Sequence, residues 1–133
     1  MRRGALYLDS SALIKLVFVE PETDSLEAFL RDRPLRVSSL LARVEVMRAA
    51  RAVSDELVAR HADDILRAIE LIAPDTALLT HAARLDPLAL RTLDAVHLAT
   101  AVALLDDLEG MVVYDRRLAG AARECGLTVF APA

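Results

Sequence analysis

Cysteine is almost missing from this chain of 133 residues: Cys125 stands alone, so no internal disulfide can form. A reducing cytoplasm is the expected setting, and Cys125 reads as a small core residue near a helix end. Tryptophan is absent and aromatics make up 4% of the chain. The core must therefore come mainly from Ala, Leu and Val, and stacking platforms for nucleic-acid bases are not expected. No apolar run approaches the roughly 18 residues of a membrane span. Met1-Arg2-Arg3 followed by Ala5-Leu6-Tyr7-Leu8 imitates the start of a signal peptide, but Asp9, Ser10 and Lys15 cut it short. A soluble, cytoplasmic protein is expected. Of 16 basic residues only Lys15 is not arginine. An excess of positive charge is missing too: the net charge of −4 speaks against a plain basic nucleic-acid-binding module.

What is present is a core-forming composition, 55% hydrophobic against 27% charged, at the length of one domain. Without linker, repeat or low-complexity stretch, residues 1–133 are read as a single unit. Ala5 to Leu8 is a short, wholly apolar strand. Helical spacing follows over 10–19, and Pro21-Glu22-Thr23 opens a second helix carrying Leu26, Phe29 and Leu30. Arg33-Pro34 breaks it. Leu35 to Val37 is the second strand, with Ser38-Ser39 placed to cap a helix from Leu40 to about Val53. Ser54-Asp55-Glu56 starts another, reaching about Leu71; Leu71 to Ala73 is a very short strand closed by Pro74. Asp75 caps a helix to about Leu85. Thr92 to Leu105 is a long apolar helix, broken by Gly110, and Met111 to Tyr114 is a strand. An amphipathic helix over 116–124 stops at Gly126, and Leu127 to Phe130 ends the chain as a strand. Short apolar strands alternating with helices predict an α/β fold, a parallel sheet of four to five strands sandwiched between helices.

In such sheets ligands bind beyond the carboxyl ends of the strands. Asp9 ends the first strand there and Asp115 follows the penultimate one, while Asp94 begins the long apolar helix. Each of these three also stands where an aspartate could serve as a helix cap, and either role suits it. Glu45 lies inside a helix between Val44 and Val46, where a carboxylate is costly unless partnered; Arg48 is one candidate partner. Gathered carboxylates repel: at about 4 Å and an effective dielectric near 20, one like-charged pair costs roughly 4 kcal/mol. A divalent cation with a hard-oxygen preference, Mg²⁺ or Mn²⁺, removes that cost and can support phosphodiester hydrolysis. No Cys/His cluster points to zinc. His97 sits among Val96, Leu98 and Ala99 and reads as a packed structural histidine; His61 and His81 read as surface residues.

Read in order, the segments are Leu8-Asp9-Ser10-Ser11-Ala12-Leu13, then Ser38-Ser39 through Arg43-Val44-Glu45, then Leu93-Asp94-Ala95-Val96-His97-Leu98-Ala99, then Val113-Tyr114-Asp115-Arg116-Arg117-Leu118. Their order and spacing resemble the PIN-domain family over essentially the whole chain, and most closely the VapC toxins of VapBC toxin–antitoxin pairs. The resemblance implies that Asp9, Glu45, Asp94 and Asp115 are the catalytic, metal-binding acids of a Mg²⁺- or Mn²⁺-dependent endoribonuclease. It implies tRNA or ribosomal RNA as substrate, a homodimer, and a VapB-like antitoxin that builds a heterotetramer or larger assembly with it. Ser11 matches a family hydroxyl near Asp9, with satisfaction of its own helix turn as the alternative. One departure is Val113, where such sequences often carry Ser or Thr, which makes Asp115 the least secure of the four. Arg91, Arg116 and Arg117 flank the acids and suit RNA phosphates or plain solvated helix ends equally.

Two other readings compete. A catalytically inactive PIN-like module acting through a protein partner is encouraged by Val113 and opposed by retention of all four acids. A phosphoryl-transfer receiver would need paired acids at the first strand end and a late lysine. An aspartate-nucleophile phosphatase would need Asp-x-Asp where this chain has Asp9-Ser10-Ser11. Neither fits.

Overall fold

The first strand, β1 (Ala5–Leu8), is buried at every position, with Leu6 and Leu8 facing one half of the core and Ala5 and Tyr7 the other. A strand covered on both faces has no polar position to offer, hence its unbroken apolar sequence. The computed structural model describes residues 4–133; Met1-Arg2-Arg3 of the leader-like run lie outside them. β2 (Arg36–Ser39), β3 (Glu70–Ile72), β4 (Leu108–Val112) and β5 (Val129–Phe130) complete a sheet in the order β3-β2-β1-β4-β5. Every pairing is parallel, as the sequence predicts.

Helices α1 (Ser10–Val17) and α2 (Thr23–Leu30) join β1 to β2, and α3 (Leu41–Arg51) and α4 (Glu56–Arg67) join β2 to β3. These four pack Leu13, Leu26, Leu30, Val46 and Leu66 over Leu6, Leu8 and Val112. α5 (Thr76–Arg84) and α6 (Thr92–Ala103) lead to β4, and α7 (Arg116–Glu124) leads to β5. Leu98 of α6 with Leu118 and Ala122 of α7 cover Tyr7, Met111 and Val113 on the opposite face. Each fully buried Leu contributes about 1.5–3 kcal/mol relative to an exposed one. No helix of the described residues is long and apolar enough to cross a membrane.

Several boundaries differ from the sequence expectation, each for a local reason. Ser38 and Ser39 close β2, fully buried, instead of lying outside it as caps; the Ser39 hydroxyl still accepts the Leu41 N–H at 3.2 Å. α4 ends at Arg67 because Glu70 is already paired with Val37 in the sheet. Gly110 breaks nothing: it lies inside β4, where a Cβ would stand 2.5 Å from the Phe130 ring and 2.6 Å from the Thr128 carbonyl. The last strand keeps only Val129 and Phe130, because Leu127 is used to close α7. Its N–H binds the Ala122 carbonyl and that of Gly126 binds Arg123, with Gly126 at φ +90°, the left-handed cap that favours glycine.

The chain leaves β1 toward β2 and leaves β4 toward β5. The connections therefore part between the two central strands, and a crevice opens at their carboxyl ends. α1 and α7 both begin there.

Candidate active site

Asp9 follows β1 directly and caps α1, its Oδ1 accepting the Ala12 N–H at 2.9 Å. The Ser11 hydroxyl donates to the same carboxylate, 2.9 and 3.0 Å from its two oxygens, so Ser11 holds a neighbouring acid. Asp9 is 3% exposed. Burial raises its carboxyl above the ordinary value in spite of the Ala12 and Ser11 bonds, and the charge of Asp94 pushes the same way. Asp115 mirrors it across the crevice. It caps α7 with Oδ1 accepting the Leu118 N–H at 2.8 Å, and it is exposed. For both acids the cap role and the site role coexist, since the cap bond engages one oxygen of the pair.

Asp94 departs from the cap reading. The residue preceding α6 is Arg91, and Asp94 lies one turn in, without a cap bond. Burial raises its carboxyl, and the neighbouring charge of Asp115 and, more weakly, that of Glu45 add to the rise. The charge of Asp94 acts on Asp9, and those of Asp115 and Glu45 act on Asp94. The positive ends of α1, α6 and α7 face these acids and offset part of their repulsion.

Glu45 enters from α3, its side chain 22% exposed. Arg48 is not its partner. Its Oε1 accepts the Ser10 hydroxyl and lies 2.9 Å from Nε2 of His97. Burial alone would push this carboxyl up, but the bonds from His97 and Ser10 outweigh it and hold Glu45 below the usual glutamate value. His97 is buried as expected, at 1% exposure, yet its role in the site was missed by sequence reasoning. The available signal was a polar ring inside the apolar run 95–99, which requires buried hydrogen-bond partners. Tyr7 and Ser10, those partners, carried no signal of their own.

The remaining expectations sort simply. Val113 is buried among the residues beneath α6 and α7, so no hydroxyl supports Asp115 from that position. Cys125 ends α7 against the same core, and burial raises its thiol. His61 and His81 are exposed, with His61 Nε2 3.0 Å from the Leu16 carbonyl. Asp94 and Asp115 line a depression of about 460 Å³ together with Arg91, Arg116 and Arg117. Two of the four acids, Asp94 and Asp115, share one surface with the flanking arginines.

All four carboxylates are hard oxygen donors, which suits Mg²⁺ or Mn²⁺. Among the described residues no three acidic, imidazole or thiol groups are gathered closely enough to hold a metal ion together. Residues 6–124 match the PIN domain.

The chain belongs to the PIN-domain family.

This PIN domain is 47% identical over 131 residues to ribonuclease VapC46 of Mycobacterium tuberculosis, covering 97% of this chain and 98% of that protein. It is 41% identical over 131 residues to ribonuclease VapC35 of the same organism, covering 96% of each. Its fold is similar to that of M. tuberculosis VapC20, a sarcin–ricin loop cleaving toxin, with TM-score 0.73 and 14% identity over 87% of this chain and 94% of that one. It is similar also to a toxin–antitoxin complex from Klebsiella pneumoniae, with TM-score 0.71 and 23% identity over 98% of each chain. The PIN fold places Asp9 at the carboxyl end of β1 and Asp115 just beyond β4.

Proposed function

We propose that this PIN domain is the toxin ribonuclease of a VapBC-type toxin–antitoxin pair, an endoribonuclease that hydrolyses phosphodiester bonds of RNA and needs Mg²⁺ or Mn²⁺. The observation that supports the reading is that the chain matches ribonucleases along almost its whole length, with Asp94 and Asp115 lining one depression and the charge of Asp94 acting on Asp9. Asp9, Glu45 and Asp94 would hold the cation, directly or through its waters, and Asp115 would assist from the exposed side. A bound divalent ion supplies charge neutralisation and a more acidic water for attack on phosphorus. Asp115, with one oxygen off its cap bond, would orient the attacking water. Arg91, Arg116 and Arg117 hold RNA phosphates beside the acids, which lets a chain of net charge −4 bind a polyanion locally. The target class is tRNA or ribosomal RNA.

A VapB-like antitoxin restrains the enzyme in the cytoplasm. The toxin itself is a homodimer, and a heterotetramer or larger with its antitoxin. Leu79 and Leu88, exposed at the rim of an apolar cleft between α5 and α6, suit burial against a second copy. The test is cleavage of total bacterial RNA by purified protein with Mg²⁺, with Mn²⁺ and with EDTA, beside Asp94→Asn. Discrete fragments that need metal and vanish in the variant support the nuclease. Absence of cleavage from folded, antitoxin-free protein would shift the reading to a binding module that acts through a partner.

A further inference from the structure

Behind Glu45 lies a chain of buried polar groups that packing alone does not require. Tyr7 of β1, fully buried, places its hydroxyl 2.7 Å from Nδ1 of His97 on α6. The two rings meet edge to face, with centroids 5.8 Å apart and planes at 77°. On the far side of the imidazole, Nε2 lies 2.8 Å from the Ser10 hydroxyl and 2.9 Å from Glu45 Oε1. Ser10 donates to that same oxygen. Two groups, Ser10 of α1 and His97 of α6, thus meet on one carboxylate oxygen of α3, with Tyr7 of β1 behind the imidazole, and no hydrogen bond reaches Oε2 of Glu45 among the described residues.

The direction of these bonds follows from the acceptor. An ionised Glu45 oxygen can only accept, so both groups facing it must bring hydrogens: the Ser10 O–H and an Nε2–H on His97. Nε2 therefore carries its hydrogen whatever the charge of the ring. In the neutral ring Nδ1 is then the acceptor, and it receives the Tyr7 hydroxyl, which burial keeps protonated. A buried imidazole with both nitrogens engaged cannot rotate without breaking a bond in a site closed to water.

We propose that His97 is a positioning residue: held by Tyr7 and acting with Ser10, it fixes one oxygen of Glu45 and leaves the other free to bind the divalent cation. This rests on the reading of Glu45 as a cation ligand. A carboxylate on a half-buried helix would otherwise sample several rotamers, and cation affinity would fall with each one that turns away. Packing alone would make His97 replaceable by any side chain of similar volume. The relay makes it replaceable only by a donor.

The experiment measures Mn²⁺ affinity by calorimetry and by the electron paramagnetic resonance signal of free ion, on His97→Leu, His97→Gln and Tyr7→Phe. Melting in EDTA reports the fold of each variant. His97→Leu should bind Mn²⁺ about 10-fold or more weakly, and His97→Gln, which retains a donor, should recover most of that loss. Tyr7→Phe should show a smaller loss and keeps the test available if His97→Leu does not fold. Folded His97→Leu or Tyr7→Phe protein binding Mn²⁺ as tightly as wild type would overturn the proposal. A separate readout uses metal-free protein and nitrogen-15 spectra of the imidazole. His97 should show a slowly exchanging Nε2–H that exchanges rapidly in Glu45→Ala. A bare Nε2 overturns the relay. Failure of wild-type protein to bind any Mn²⁺ overturns instead the metal reading of the four acids, while the Nε2–H still decides the relay, so the two failures are told apart.

Discussion

At the scale of single residues the site holds opposing electrostatic demands. Asp9 is raised by burial and by the charge of Asp94, and Asp94 by burial and by the charges of Asp115 and Glu45, whereas Glu45 is held low by the bonds from His97 and Ser10. Removing the Asp94 charge should therefore stabilise the metal-free protein. Asp94→Asn is expected to melt about 2–4 °C higher in EDTA, near 1 kcal/mol for a domain of this size, while losing RNA cleavage. The sign with pH follows from the raised carboxyl. Above the ordinary aspartate value of about 4 the unfolded chain ionises first, so wild-type stability declines as pH rises toward the folded value. The advantage of the variant should be absent at low pH, where both states are protonated, and should grow through that window. Melting curves of both proteins across the acid range check this, and a constant difference would refute it.

At the scale of elements, cap and charge can be separated at Asp115. Asparagine caps a helix about as well as aspartate. Asp115→Asn should therefore keep the cap, melt no lower than wild type and lose activity, whereas Asp115→Ala should lose activity and melt below Asp115→Asn by about 1 kcal/mol of stability with the Leu118 bond. Denaturant unfolding beside an RNA cleavage assay distinguishes them; equal stability of the two variants would remove the cap role. Gly110 makes a second element-level case. Its place in β4 is imposed by the close approach of β5, so Gly110→Ala should cost roughly 1–3 kcal/mol by overpacking. Shortening Phe130 as well should restore only part of this, because the Thr128 carbonyl is backbone and stays within 2.6 Å of the added carbon. Denaturant titration of the single and double variants measures it.

For the whole molecule, carboxylates at the carboxyl ends of two central strands amount to a repulsion built into the fold and relieved by a ligand. Mn²⁺ or Mg²⁺ should raise the melting temperature, by about 2.7 kcal/mol of stabilisation at a hundred times the dissociation constant. Thermal melts over a metal titration check this. Asp94→Asn should lose most of the effect, and a wild-type melting temperature indifferent to either ion would count against the metal reading. The arrangement follows from topology: only between β1 and β4 do the connections leave in opposite directions.

The sequence by itself determined the fold class and most of the acid set. Unbroken apolar strands can exist only where both sheet faces are covered, and Asp9 and Asp115 were legible because strand ends and helix starts are local signals. Local pattern could not decide which polar residues meet. Ser10 and Tyr7 lie in one short segment, Glu45 and His97 in two others far along the chain, and nothing in their immediate neighbours says that a hydroxyl and an imidazole will share one carboxylate oxygen while a phenol holds the imidazole from behind. The same limit misread Gly110 as a breaker, since the ring and carbonyl that require a glycine there arrive from β5. Tertiary structure settled these points because contacts between distant segments depend on how the layers stack, and each was decided by the volume and hydrogen-bonding capacity of groups that become neighbours only on folding.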